Sequence, residues 1–177
     1  MGERSVFLVG MMGAGKTTLG KSLAQRLALD FVDTDKVLVE RTGVPIATIF
    51  EIEGEAGFRR RETTVIAELA RGKACVVATG GGAILADDNR RAMRENGIVI
   101  YLRARLESLW ERTRHDSTRP LLATSDPRAT LAHLLEHRDP LYREAAHLIM
   151  DTGSQSASSL VTRVVTALRE HSPESMP

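Results

Sequence analysis

Cysteine is almost absent from this chain: of 177 residues one is cysteine, Cys75, inside the apolar run Ala74-Cys75-Val76-Val77-Ala78. A lone thiol forms no internal disulfide and in such a run packs as a small hydrophobe, which excludes a disulfide-stapled scaffold and favours a reducing compartment. Long apolar runs are missing too. None approaches the length needed to cross a bilayer, and the start, MGERSVF, carries acidic Glu3 ahead of a short apolar run instead of a signal-peptide pattern. Met1-Gly2 opens as a myristoylation signal does, yet Val6 stands where that motif takes Ser or Thr. Net charge is scarce as well. Lys and Arg number 24 against 23 Asp and Glu, a formal +1, so no bulk field draws the chain to nucleic acid or anionic lipid. Internal repeats and low-complexity tracts are lacking. The length suits one compact α/β domain. The expectation is a cytoplasmic monomer with a single domain over residues 1–171, a disordered tail at 172–177, and no nucleic-acid or membrane partner.

What is present is an alternation of β-type runs with segments of helical period. Ser5 to Val9, Phe31 to Val32, Ala74 to Ala78, Ile98 to Leu102 and Leu148 to Met150 read as strands, and buried strands of this kind imply a parallel sheet. Amphipathic stretches at Thr17 to Leu27, Asp35 to Arg41, Ile46 to Glu53, Glu55 to Ala70, Asp87 to Asn96, Leu106 to Arg114, Arg128 to His137 and Ala157 to Glu170 would cover its two faces. His115 to Arg128, crowded with Asp, Ser, Thr and Pro, reads as a loop or mobile flap.

The strongest motif is Gly10-Met11-Met12-Gly13-Ala14-Gly15-Lys16-Thr17, which fits G-x-x-x-x-G-K-[ST] after a strand and before a helix. The pattern predicts a nucleoside triphosphate site. Glycines let backbone N–H groups of Gly13 to Thr18 curl around phosphate oxygens, and the helix aims its positive end at them. Lys16 would reach the β and γ phosphates, and Thr17 would ligate Mg²⁺. No Asn-Lys-x-Asp occurs, which weakens a GTPase reading.

Phe31-Val32-Asp33-Thr34-Asp35-Lys36 sets two carboxylates at the end of the second strand, where an open α/β sheet gathers its ligands. Acids beside a transferring phosphate repel it unless Mg²⁺ or a hydroxyl intervenes. Asp33 is therefore assigned to the Mg²⁺ shell, and Asp35 to orienting, or deprotonating, an acceptor hydroxyl. A helix N-cap is the plainer alternative for Asp35. Thr79-Gly80-Gly81-Gly82-Ala83 follows the third strand and lets backbone approach a ligand closely, or makes a flexible turn. Arginines recur at Phe58-Arg59-Arg60-Arg61-Glu62, at Arg119-Pro120-Leu121-Leu122 and at Arg138-Asp139-Pro140-Leu141-Tyr142. Their forks suit carboxylate and phosphate. His133-Leu134-Leu135-Glu136-His137 matches an inverted zinc-protease pattern, but no further ligand announces itself. The arginine triplet lacks the interleaved aromatics of an RNA-binding patch.

Taken in order, the phosphate loop, Asp33-Thr34-Asp35, Phe58-Arg59 with Glu62, Gly80-Gly81-Gly82, Arg119-Pro120-Leu121-Leu122 and Arg138 with Pro140-Leu141-Tyr142 resemble shikimate kinases nearly end to end, from Gly10 to about Gln155. The resemblance implies a three-layer P-loop NTPase fold: a five-stranded parallel sheet of order 2-3-1-4-5 flanked by helices, with a substrate-binding segment at about 35–62 and a mobile lid at about 113–128. It implies transfer of the γ-phosphoryl of ATP to the 3-hydroxyl of shikimate, with Mg²⁺, in aromatic amino acid biosynthesis. Lys16, Asp35 and Arg119 would be catalytic. Gly13, Ala14, Gly15, Lys16, Thr17, Thr18, Arg112, Arg119 and Gln155 would hold ATP, with Arg112 and Gln155 facing adenine. Asp35, Arg59, Gly80, Gly81, Gly82 and Arg138 would hold shikimate, Glu62 would orient Arg59, and Ile46, Phe50 and Phe58 would pack around the ring or simply in the core. Thr17 and Asp33 would serve the metal. Two rivals stand beside this reading: another small-molecule P-loop kinase, such as a gluconate kinase, and a nucleotide-gated regulatory module without turnover.

Overall fold

The computed structural model describes residues 4–153 and 155–171; the tail expected at 172–177 lies outside them. Five parallel strands, β1 (Ser5–Val9), β2 (Asp30–Asp33), β3 (Cys75–Ala78), β4 (Gly97–Arg103) and β5 (Leu148–Asp151), pair in the order β2-β3-β1-β4-β5. The three inner strands read as unbroken apolar runs because both faces are covered; every residue of β1 and β3 is buried. The edge strands β2 and β5 are more exposed and begin or end in aspartate.

Among the described residues seven α-helices connect and cover the strands: α1 (Lys16–Leu27), α2 (Thr34–Thr42), α3 (Ile46–Arg71), α4 (Asp87–Asn96), α5 (Leu106–Thr113), α6 (Pro127–Ala145) and α7 (Ala157–Glu170). Right-handed crossovers decide the layers. The step from β1 to β2 runs one way along the sheet and the later steps run the other, which puts α1 on one face and α4 and α6 on the opposite face. α7 returns to pack on α1. This reversal beside β1 opens a crevice at the carboxyl ends of the strands.

Three elements depart from, or sharpen, the sequence reading. α3 is two helical pieces meeting at Gly54, whose φ of 68° and ψ of 179° break the helical path where the sequence separates Ile46 to Glu53 from Glu55 to Ala70. α6 does not stop near His137; it runs through Pro140 to Ala145. The proline removes one helical hydrogen bond. The turn beyond it is fastened from outside, because Tyr142 and Ala145 are fully buried and Arg94 Nη1 donates to the carbonyls of Glu144 and Ala145 at 2.9 Å each. The flap between α5 and α6 contains a short 3₁₀ turn, Pro120–Leu122, and its Leu122 is buried against the main core.

That core fills the space between sheet and helices, from Phe7 and Leu8 to Val164 and Leu168. A second, smaller one gathers Leu38, Ile49, Phe58 and Val65 from α2 and α3. Among the described residues no helix is long and apolar enough to cross a membrane.

Candidate active site

The loop after β1 needs unusual backbone. Gly13 and Gly15 take φ of 80° and 94°, a region that disfavours side chains, and Gly15 caps α1 without any side-chain hydrogen bond. The first N–H groups of α1 are thus left for a ligand. Lys16 Nζ folds back onto its own loop, donating to Gly10 O at 2.7 Å and Met11 O at 2.9 Å. Burial and, second, the guanidinium of Arg119 bring its ammonium from 10.5 down to about 8, while Asp35 and Asp33 pull the other way. Thr17 Oγ1 donates to Asp33 Oδ2 at 3.0 Å, so the hydroxyl and the carboxylate assigned to Mg²⁺ already meet.

Beside this loop a cavity of about 290 Å³ is lined by Ala14, Gly15, Thr18, Arg112 and Gln155, among others. Arg112 Nη1 donates to Gly13 O at 3.0 Å, which ties α5 to the phosphate loop. Gln155 is held by its own neighbours: its Nε2 donates to Asp151 O, and its Oε1 accepts from Arg163. Arg112 and Gln155, both expected to face adenine, therefore line one cavity.

The three residues Asp33-Thr34-Asp35 divide the work. Asp33 Oδ1 accepts from the N–H groups of Asp35 at 3.1 Å and Lys36 at 3.4 Å, so Asp33 is the N-cap of α2 and the capping alternative for Asp35 falls. Asp35 sits inside the first turn with its Oδ1 buried and, among the described residues, unpartnered. Burial first and the Asp33 charge second push its carboxyl upward, against Lys16, Arg119 and Arg59. Thr34, which the sequence reading passed over, is fully buried and accepts from Gly80 N at 3.1 Å. Gly80's N–H is thereby occupied, which leaves those of Gly81 and Gly82 as the loop's available donors.

The charged side chains expected around the glycine loop do gather there. Arg59 Nη1 donates to Glu62 Oε2 at 2.8 Å and its Nη2 to Glu55 Oε1 at 3.2 Å. Glu62 is wholly buried, and that burial raises its carboxyl despite Arg59. Arg138, from α6, is 2% exposed. A side chain at Gly80 would run into Glu62 and crowd Asp35, one at Gly81 would start 3.4 Å from Arg138 Nη1, and one at Gly82 would collide with the Arg59 guanidinium. Gly80 and Gly82 are therefore explained by crowding as much as by flexibility, whereas a Cβ at Gly81 would meet only ordinary contacts. Four buried polar atoms face this hollow without a partner among the described residues: Asp35 Oδ1, Glu62 Oε1, Arg59 Nε and Arg138 Nη1. Unpaired buried polar groups are costly, and their convergence marks a place built for a polar ligand. The Phe58 and Phe50 rings meet with centroids 4.7 Å apart, tilted by 36°, and Ile46 packs with them in the smaller core.

Arg119 begins the 3₁₀ turn of the flap. Its Nε donates to Asp116 Oδ2 at 2.8 Å, and Asp116 in turn accepts from Thr118. Its charge is felt by both Lys16 and Asp35, so the flap arginine lies within electrostatic reach of both.

The zinc pattern leads nowhere. His133 and His137 are exposed, their rings 4.2 Å apart, and among the described residues no three His, Cys, Asp or Glu side chains form a metal-holding group. A wider cleft of about 1140 Å³ opens beyond β4 and β5, but it contains none of the residues given a catalytic, ATP, shikimate or metal role from the sequence, and its Arg103 is already paired with Asp151.

Comparison with known proteins shows the family. The family model described as shikimate kinase matches residues 12–169. A shikimate kinase of Nitrosospira multiformis is 54% identical over 164 residues, 93% of this chain and 84% of that protein. One of Bordetella pertussis is 55% identical over 166 residues, 94% and 79% of the two chains. Among solved structures, the shikimate kinase from Acinetobacter baumannii in complex with shikimate superposes with a TM-score of 0.93 at 45% identity, covering 96% of this chain and 95% of the other.

Proposed function

Because the chain belongs to the shikimate kinase family, whose members are ATP-dependent kinases, we propose that the phosphate loop and the glycine hollow form one active site. There the γ-phosphoryl of ATP passes to the 3-hydroxyl of shikimate, giving shikimate 3-phosphate and ADP for aromatic amino acid biosynthesis. The single observation that carries the residue assignment is the set of unpartnered buried atoms on Asp35, Glu62, Arg59 and Arg138, gathered around Gly80 to Gly82, with the charges of Asp35 and Arg138 felt at Lys16.

In this reading the phosphates enter over the start of α1, and Lys16 exchanges the carbonyls of Gly10 and Met11 for β and γ oxygens. Arg59, Arg138 and the Gly81 N–H grip the substrate carboxylate, which turns the ring so that its diol meets Asp35. The raised affinity of Asp35 for a proton suits it to orient the 3-hydroxyl and accept its proton as the oxygen attacks phosphorus. The bond from the γ phosphorus to the β-γ bridging oxygen breaks, and ADP leaves with that oxygen's charge. Arg119 stabilises the charge spread over the transferring phosphoryl group and, with the flap, keeps water out. Mg²⁺ fits the hard oxygen pair of Thr17 Oγ1 and Asp33 Oδ2 beside the phosphate loop, and when bound it supplies neutralising charge to the phosphates. Gly13, Ala14, Gly15 and Thr18 line the phosphates, and Arg112 and Gln155 the adenine cavity. The enzyme is further proposed to act as a cytoplasmic monomer.

A coupled ADP-release assay tests the whole. Turnover with shikimate and Mg²⁺, and none with gluconate, is the expected result. ATP binding without turnover would instead establish a nucleotide-gated module, and preference for gluconate another kinase.

A further inference from the structure

The function above uses one residue of Arg138-Asp139-Pro140-Leu141-Tyr142, and the structure gives the last of them a definite place. Tyr142 lies one helical turn beyond Arg138 on α6, so the two side chains share a face. Its ring is fully buried and stacks on Tyr101 of β4 with centroids 4.8 Å apart. Its hydroxyl donates to Gly81 O at 2.5 Å and lies 3.7 Å from Met11 Sδ of the phosphate loop. The Arg138 guanidinium lies beside the same hydroxyl, where its charge favours the phenolate, and its Nη1, 3.4 Å from where a Cβ on Gly81 would stand, stays unpartnered among the described residues. One phenol thus connects the two donors assigned to the acid, the guanidinium on α6 and the backbone of Gly81. A hydroxyl has a single proton, and with that proton committed to Gly81 O its lone pairs are free to receive Arg138.

We propose that Tyr142 is the positioning residue of the carboxylate clamp: its hydroxyl holds Arg138 and the Gly81 peptide in the one relative orientation that receives a planar carboxylate, and so sets the preference for a free acid. Without it both groups remain, but Arg138 gains a rotamer aimed at the vacated hydroxyl position and Gly81 O loses its buried donor. The loop peptide then has no reason to keep its N–H turned to the ligand. Tyr101 provides the natural control. Its ring belongs to the same stack, yet its hydroxyl donates at 2.7 Å to Asp139 Oδ1 and does not touch the glycine loop.

This inference rests on the assignment of Arg138 and Gly81 to the substrate carboxylate, and the experiment separates the two. In Tyr142→Phe the KM for shikimate should rise roughly three- to tenfold, the effect of one net hydrogen bond, with KM for ATP and kcat within about twofold of wild type. The KM for shikimate methyl ester, which lacks the charge, should not change, so selectivity for the acid collapses by the same factor. Tyr101→Phe should leave that selectivity intact. Arg138→Ala is the reference: if it fails to raise KM for shikimate, the clamp assignment itself is wrong. If it raises KM while Tyr142→Phe does not, or if acid and ester suffer alike in Tyr142→Phe, the role of Tyr142 is refuted. A variant that does not fold is no obstacle, because the chain has two tyrosines. With ¹³Cζ-tyrosine in the unaltered enzyme, shikimate should shift the Tyr142 resonance and ADP should not; a Tyr142 signal blind to shikimate would equally overturn the proposal.

Discussion

Adding one methyl group at Gly82 should disable the clamp while leaving the fold standing. Gly82 has φ of −92° and ψ of 0°, which alanine tolerates, so backbone strain plays no part. The new Cβ would instead overlap Nη1, Nη2 and Cζ of Arg59. That guanidinium is pinned from the far side by Glu62 and Glu55, and it must leave. The lost contact is a charge-assisted one, about 1.5–3 kcal/mol. Converted at about 1.4 kcal/mol per tenfold, KM for shikimate should rise roughly ten- to a hundredfold, with KM for ATP unchanged. Global stability should fall less than this loss suggests, because Glu62, whose carboxyl burial already raises, can take up a proton when its cation departs. Steady-state ADP release at varied shikimate, with a thermal melt, measures both quantities. The decisive arm is a double-mutant cycle: in an Arg59→Ala background Gly82→Ala should add nothing, since there is no guanidinium left to displace. An unaltered KM in Gly82→Ala, or an equal penalty with and without Arg59, would refute the reasoning.

Two other perturbations probe the opposite end of the site. Asp35→Asn should lower kcat by about 10²- to 10⁴-fold with little change in ATP affinity. It should also raise the melting temperature: the native carboxyl titrates above its unfolded value, so ionising it opposes folding at every pH above that value, and the amide removes the penalty. A melting temperature that drops would mean Asp35 is structural. Lys16, lowered to about 8 in the free enzyme, predicts that kcat/KM for ATP declines above that pH, while kcat at saturating ATP declines only at higher pH, because bound phosphate restores the ammonium. The same group binds fewer protons folded than unfolded between pH 8 and 10.5, so its contribution to stability grows with pH across that window. A kcat/KM profile flat through pH 9 would contradict the lowered value.

Why these perturbations could be aimed from so little sequence, and where the sequence misleads, comes down to the range of the forces involved. The phosphate loop was legible because its chemistry is local: Gly13, Gly15, Lys16 and Thr17 act through backbone angles and one helix start within a few residues. The strands were legible for the same reason, since burial on both faces leaves unbroken apolar runs such as Cys75–Ala78. Asp33 and Asp35 were half legible. Their spacing announces one cap and one site-facing acid, but which is which depends on the residue at which α2 begins, and helix starts are poorly determined by local preference.

The extent of α6 was hidden because a local rule, that proline ends helices, lost to distant support from Arg94 and the burial of Tyr142. Thr34 and Tyr142 were hidden more deeply. Each acts on a single peptide of the glycine loop, from β2's end and from α6 respectively, and no periodicity or charge pattern marks a hydroxyl that touches a backbone far along the chain. Arg59 and Arg138 were noticed as arginines, yet nothing in their spacing brings them together; resemblance suggested it, and the fold does it by laying α3 and α6 on either side of Gly80–Gly82. In the glycine loop two of these distant groups do leave a mark on the local sequence, because Glu62 closing on Gly80 and Arg59 closing on Gly82 leave no room for a side chain there.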